Sequence, residues 1–211
     1  MKIAVFVSGG GTNLQAIIDR IKDGSLADAE IALVIASNDK AYAIQRASDN
    51  NIPCSVMSVK DYESREMWDD AVLAALKESG AELIVLAGYL SLLGEKTVRA
   101  FSNRIINIHP ALIPAFCGKG MYGIRPHEAA LKRGVKVSGA TVHIVNENYD
   151  EGPILLQKCV DVLPGDTPET LQQRIMKECE QVILPKAIKL FAEGRVVIEN
   201  NIAYVKDQEE K

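Results

Sequence analysis

Two periodicities alternate through the first half of the chain, and no other feature constrains its fold so strongly. Short β-branched apolar runs stand at Ile3–Val7, Ile31–Ala36, Leu83–Ala87 and Ile105–Ile108, with a further short strand over Ile52–Met57. Between them the apolar spacing is helical: Leu14-Ile17-Ile18-Ile21, Ala41-Ile44-Ala47 and Met67-Ala71-Leu73-Leu76. Near-continuous apolar strands separated by amphipathic helices imply a parallel sheet with helices on both faces, because parallel neighbours need long crossovers. The expected class is therefore α/β, with a mostly parallel, Rossmann-like open sheet.

The second half changes style. Val135–Val145 and Ile154–Val162 are longer, partly alternating strands joined by the turn-rich 146–153 segment, which suits antiparallel or mixed pairing. A long C-terminal helix follows, with Thr167 as N-cap and Pro168 at its first position, running to Glu193-Gly194. Pro185 lies inside that pattern and predicts a kink or break. A hairpin, Val196–Glu199 with Ile202–Val205 around Asn200-Asn201, precedes a charged tail. With no repeats and no linker, one domain over 1–211 is expected, a half at 1–100 and a half at 101–205.

Composition excludes several classes. A chain of 211 residues that is 47% apolar and 25% charged buries a core and is neither disordered nor fibrous. Its net charge of −4 gives no general attraction to nucleic acid or anionic lipid, so any bound phosphate must meet a local cradle. The cysteines, Cys54, Cys117, Cys159 and Cys179, form no CxxC pair and no disulfide framework. No apolar run suits a signal peptide or membrane span, so a cytoplasmic protein is expected.

Three segments carry chemistry. Ser8-Gly9-Gly10-Gly11-Thr12-Asn13-Leu14 joins the first strand to the first helix, where backbone N–H groups and the helix dipole favour an anion. It lacks the third glycine of a dinucleotide fingerprint and the Gly-Lys-Ser/Thr of a P-loop. Either it cradles one phosphate, or it is a plain turn capped by Thr12 or Asn13; spacing alone does not choose. Asn107-Ile108-His109-Pro110 ends an apolar strand, and alternation puts Asn107 and His109 on one side at the sheet's carboxyl edge. An imidazole there can act as an acid and an amide can donate to an oxyanion, although a strand-end His bonded to backbone fits the same spacing. Finally, the acidic 146–153 loop reads as a solvated turn or, less simply, as a metal site from Glu147, Asp150 and a His without clear ligand spacing. His127 begins a helix with Glu128, and His143 is read as a packed or hydrogen-bonded strand residue.

Taken in order, Ser8 to Ile17, Leu86-Ala87-Gly88-Tyr89-Leu90, Ile106-Asn107-Ile108-His109-Pro110, Val142-His143-Ile144-Val145 and Asp150-Glu151-Gly152-Pro153-Ile154 resemble the folate-dependent formyltransferases. The Gly-Thr-Asn-Leu start narrows the resemblance to the phosphoribosylglycinamide formyltransferase family, over about residues 1 to 205. It implies formyl transfer from 10-formyltetrahydrofolate to the amine of glycinamide ribonucleotide in purine synthesis, without metal. Asn107, His109 and Asp150 would be the catalytic trio, with His109 protonated and its pKa raised by Asp150. Gly11, Thr12, Asn13 and Glu180 would hold the glycinamide substrate. Arg65, the Leu90-Ser91-Leu92-Leu93 segment, Asn107, Asn146 and Asp150 would line the folate site. The chain would act on small molecules as a monomer or homodimer.

Departures from the family pattern are Ser91 and Ala115, where many members carry a charge, and extra residues at Gly118–Ile124, whose three glycines predict a mobile loop. Lys119 or Arg125 is a candidate for the missing charge. Methionyl-tRNA formyltransferase and formyltetrahydrofolate hydrolase share the trio, but each adds a domain for which this mildly acidic chain has no room. A silent phosphate-binding module would need only Gly9 to Asn13.

Overall fold

The computed structural model describes residues 1–148 and 150–207. They form two compact units with the boundary between Ile106 and Asn107.

In the first unit, β1 (Lys2–Val7), β2 (Glu30–Ala36), β3 (Cys54–Val56) and β4 (Leu83–Leu86) stand in the order β3-β2-β1-β4. Every pairing is parallel: Val5 lies opposite both Val34 and Val85. The connections are α1 (Thr12–Lys22), α2 (Ala43–Asp49) and α3 (Arg65–Ser79), and α4 (Glu95–Ala100) follows β4. Ile3, Phe6, Leu14, Ile17, Ile35, Leu76 and Ile84 are all fully buried, each such side chain contributing roughly 1.5–3 kcal/mol. Trp68 is fully enclosed, and its indole N–H donates to the Met57 carbonyl at 3.0 Å. Asp69, also buried, caps α4 by accepting from Lys96 N, Thr97 N and the Thr97 hydroxyl. The apolar spacing does not predict α4, because a six-residue helix shows no full apolar period.

β5 (Ile105–His109) carries the chain into the second unit. There α5 (Arg125–Arg133) is followed by β6 (Val137–Ile144) and β7 (Ile154–Asp161), an antiparallel pair with Val137 opposite Asp161 and a register shift between Val142 and His143. α6 (Pro168–Ile175) begins at Thr167, whose side chain accepts from Thr170 N in a reciprocal capping box. Asp166 receives a bidentate bond from Arg174, which holds its carboxyl far below the usual carboxylate range. β8 (Val196–Glu199) and β9 (Ile202–Val205) form the expected terminal hairpin; the end of the charged tail, 208–211, lies outside the described residues.

The expected disruption of the C-terminal helix falls elsewhere. α7 (Gln181–Ala192) runs through Pro185 without interruption, and the irregularity is a π-helical turn at Met176–Glu180, just upstream. A proline withholds its own N–H and crowds the carbonyl four residues earlier, so its effect falls on the preceding turn. The extra residue of the π turn also rephases the helix. Leu171 and Ile175 before it, and Ile183, Leu184, Ala187 and Ile188 after it, are all buried, whereas Val182 is exposed.

Candidate active site

The glycine turn of the first unit departs from one sequence expectation. Neither Thr12 nor Asn13 caps α1: the N-cap is Gly11, left-handed at φ 68°, and no side chain caps the helix. The turn needs glycine there twice over, since a Cβ on Gly11 would lie 2.7 Å from Ala43 Cβ. No acidic residue occupies the first turn, so its N–H groups and the dipole remain available to an anion. Arg46 braces the turn, donating from Nε to the Gly10 carbonyl at 2.8 Å and from Nη1 to Gln15 at 3.0 Å.

Residues expected at the folate site meet in the same unit. Arg65 Nη2 donates to the carbonyls of Leu92 at 2.8 Å and Leu93 at 3.2 Å, and its guanidinium stacks on Trp68. Leu90 and Leu92 are exposed and Leu93 is buried. The Leu90 N–H donates to Ser8 Oγ at 2.9 Å, tying this segment to the first residue of the glycine turn.

In the second unit the catalytic candidates converge. Asn107 and His109 project from the same side of β5, and His109 is 4% exposed. His109 Nε2 donates to the Phe116 carbonyl at 2.9 Å, which leaves Nδ1 as the basic nitrogen, 3.7 Å from Asp150 Oδ2. Asp150 Oδ2 also accepts from Gly118 N at 2.8 Å, and Oδ1 stands 3.4 Å from His143 Nε2. Both partners of His109 sit on strained backbone: Phe116 at φ 53° and Asp150 at φ 54°, a region disfavoured for residues with a Cβ.

Electrostatics differ from the sequence expectation in one respect. Burial pushes the His109 pKa down, and the opposing effects of the Phe116 carbonyl and the Asp150 charge do not restore it. Asp150 acts in the expected direction but is outweighed by desolvation. Burial raises Asp150 itself, yet bonds from His143 and Gly118 and the two neighbouring histidines bring its pKa below the usual carboxylate value.

Sequence reasoning missed three supporting residues. His143, 2% exposed, lies against both Asn107 and Asp150. Thr141, fully buried, donates to the Ala111 carbonyl at 2.7 Å and accepts from Ile113 N at 3.1 Å, while Gln157 bonds both Thr141 and the Ile113 carbonyl. These bonds hold the turn leading from His109 to Phe116. For Thr141 and His143 the sequence signal is a polar residue on the mostly apolar β6, and for Gln157 on the mixed β7 there is none.

His127, buried completely at the start of α5, has no hydrogen-bond partner on either ring nitrogen among the described residues. Burial, with the nearby His109, lowers its pKa to about 4. A histidine with a folded pKa below its unfolded value stabilises fully above about pH 6.5, and that contribution is lost as pH falls towards 4. At most about 3 kcal/mol is at stake in this window. Denaturant unfolding across pH 4–7 is expected to show this slope in the parent protein and a flatter one in His127→Leu.

Glu180 is buried at the end of the π turn, and Asn146 Oδ1 accepts from Asn148 N at 3.0 Å. Tyr149, inside the acidic loop, lies outside the described residues. No group of three His, Cys, Asp or Glu residues suited to a metal occurs among the described residues. The Gly118–Ile124 segment is tied at Gly118 to Asp150, at Gly120 to Arg125 and at Gly123 to Gln172. Arg125 also stacks on Tyr122. Among the described residues no helix is long and apolar enough to cross a membrane.

An α/β scaffold that brings an asparagine, a histidine and an aspartate together at the end of a strand matches one group of enzymes. The chain belongs to the formyl transferase family, whose model matches residues 1–188. Among its relatives is the phosphoribosylglycinamide formyltransferase of Haemophilus influenzae, 41% identical over 97% of this chain and 93% of that one. The crystal structure of glycinamide ribonucleotide transformylase 1 from Symbiobacterium toebii superposes with a TM-score of 0.92 at 44% identity, covering 98% and 94% of the two chains. A formyltetrahydrofolate deformylase from Pseudomonas syringae shares the fold at 28% identity and TM-score 0.87, with 66% of that chain covered.

Proposed function

We propose that this enzyme transfers the formyl group of 10-formyltetrahydrofolate to the amine of glycinamide ribonucleotide. The observation that carries the reading is the convergence of Asn107, His109 and Asp150 in a member of the formyl transferase family. Gly11, Thr12 and Asn13 hold the substrate phosphate and Glu180 its glycinamide end. Arg65, the segment from Leu90 through Ser91 to Leu93, and Asn146 bind the folate. The chain acts as a formyltransferase domain on small molecules in the cytoplasm, as a monomer or homodimer.

The neutral amine attacks the formyl carbon and gives a tetrahedral intermediate with a negative oxygen and a positive nitrogen. Asn107 donates to that oxygen, and a donor so placed is worth roughly 3 kcal/mol of barrier. A buried His109 with a lowered pKa rests as the imidazole; when the oxyanion forms, its negative charge favours the protonated ring, which takes up a solvent proton and gives it back to solvent when the intermediate collapses. Asp150, ionised, accepts the ammonium proton through water and returns one to the departing folate nitrogen.

The test is turnover of 10-formyltetrahydrofolate with and without glycinamide ribonucleotide, followed at the folate absorbance. Formylation that requires the amine is expected. Equal folate loss without it, with release of formate, would assign the protein as a hydrolase instead.

A further inference from the structure

His143 contributes through its tautomer. Its Nδ1 lies 3.0 Å from the Ile144 carbonyl, and a carbonyl oxygen only accepts, so Nδ1 carries the ring proton. In the neutral ring Nε2 then presents a lone pair. That atom is 3.1 Å from Asn107 Nδ2 and 3.4 Å from Asp150 Oδ1. The shorter contact is a donor meeting an acceptor, whereas the carboxylate, itself only an acceptor, takes a bond from Nε2 only when the ring is doubly protonated. At 2% exposure the ring has no water to turn to, so the Ile144 bond decides what Nε2 can do.

This matters for Asn107, because an amide has a donating and an accepting end and only the first serves an oxyanion. We propose that His143 is a positioning residue for formyl transfer: by accepting one N–H of the Asn107 amide, it holds the NH2 group in place and leaves the second N–H for the tetrahedral oxyanion. A ring of the opposite tautomer would present an N–H to Asn107, turn the amide over and place its oxygen where the donor is needed. The register shift between Val142 and His143 falls at this position: Val142 faces Leu156 and His143 faces Ile154 on β7. The inference rests on the formyl-transfer reading.

The experiment combines steady-state kinetics with nitrogen NMR. His143→Leu is expected to lower kcat by about 10- to 100-fold, with the KM for glycinamide ribonucleotide within about twofold. His143→Gln, which returns an acceptor oxygen near the Nε2 position, is expected to recover most of that loss. In an Asn107→Ala background His143→Leu is expected to change kcat by less than about twofold, because the group it positions is gone. An unchanged factor in that background, loss of the effect in Asp150→Asn instead, or a glutamine variant no better than leucine would each overturn the proposal. The 15N spectrum of the parent enzyme gives a readout independent of whether the variants fold. A protonated Nδ1 and bare Nε2 are expected for His143, and the reverse tautomer refutes the role. If the parent enzyme fails to formylate the amine, the functional reading falls, while the tautomer is still decided by the spectrum.

Discussion

His109→Ala is expected to lower kcat by about 100-fold or more while leaving the KM for glycinamide ribonucleotide within about twofold. The ring lies among Phe116, Asp150 and the end of β5, and the glycine turn proposed to hold the phosphate belongs to other elements, so chemistry and phosphate binding are expected to separate. Asp150→Asn is expected to cost about as much by a different route. It removes the charge that opposes desolvation of His109 and the acceptor for the migrating proton. Because the proposed mechanism places both residues on one proton path, the double variant is expected to be little worse than either single one. Rates near the parent value in either single variant, or losses that multiply, would refute the assigned mechanism.

Gly152→Ala is the second change expected to have a large effect, although residue 152 need touch no substrate. A Cβ there would lie 1.8 Å from the Ile144 carbonyl oxygen and 2.9 Å from its carbon, both backbone atoms that cannot rotate away. The loop must shift, and Asp150, two residues upstream at φ 54°, shifts with it. The Gly118 N–H bond to Asp150 and the contact with His143 depend on that placement. A kcat loss of about 100-fold is expected, with a stability cost of roughly 1–3 kcal/mol from the displaced backbone. Combining Gly152→Ala with Asp150→Asn is expected to add little to the kcat loss. Retention of full activity with a lowered melting temperature would show that the loop carries no catalytic placement.

The Asp-x-Gly-Pro stretch shows how sequence and structure divide the explanation. Its residue types are visible in the sequence, and the family resemblance attached a role to Asp150. Only the folded chain shows why glycine stands two positions later: the loop passes directly over the Ile144 carbonyl. His143 illustrates the opposite case. Its mid-strand place marks it as a packed or hydrogen-bonded residue and no more, because which polar atoms a buried ring meets depends on segments far apart in the chain. Helix boundaries follow the same division. Thr167 and Pro168 announced α6, since capping chemistry is local, whereas Pro185 announced a disruption whose place, the π turn at Met176–Glu180, only the folded helix shows.

The sequence by itself determined the α/β class, the strand-turn-helix at Gly9 to Asn13, and the pairing of Asn107 with His109 at a strand end, while Asp150 joined them only through the family resemblance. Each depends on periodicity, turn chemistry or motif spacing, which are properties of neighbouring residues. Tertiary structure alone decided that His109 is desolvated enough to lower its pKa despite a carboxylate 3.7 Å away. It also decided that Gly11 caps α1, and that His143 meets Asn107 through Nε2. Burial, close backbone approach and ring tautomer are set by groups distant in sequence that folding brings within a few ångströms of one another.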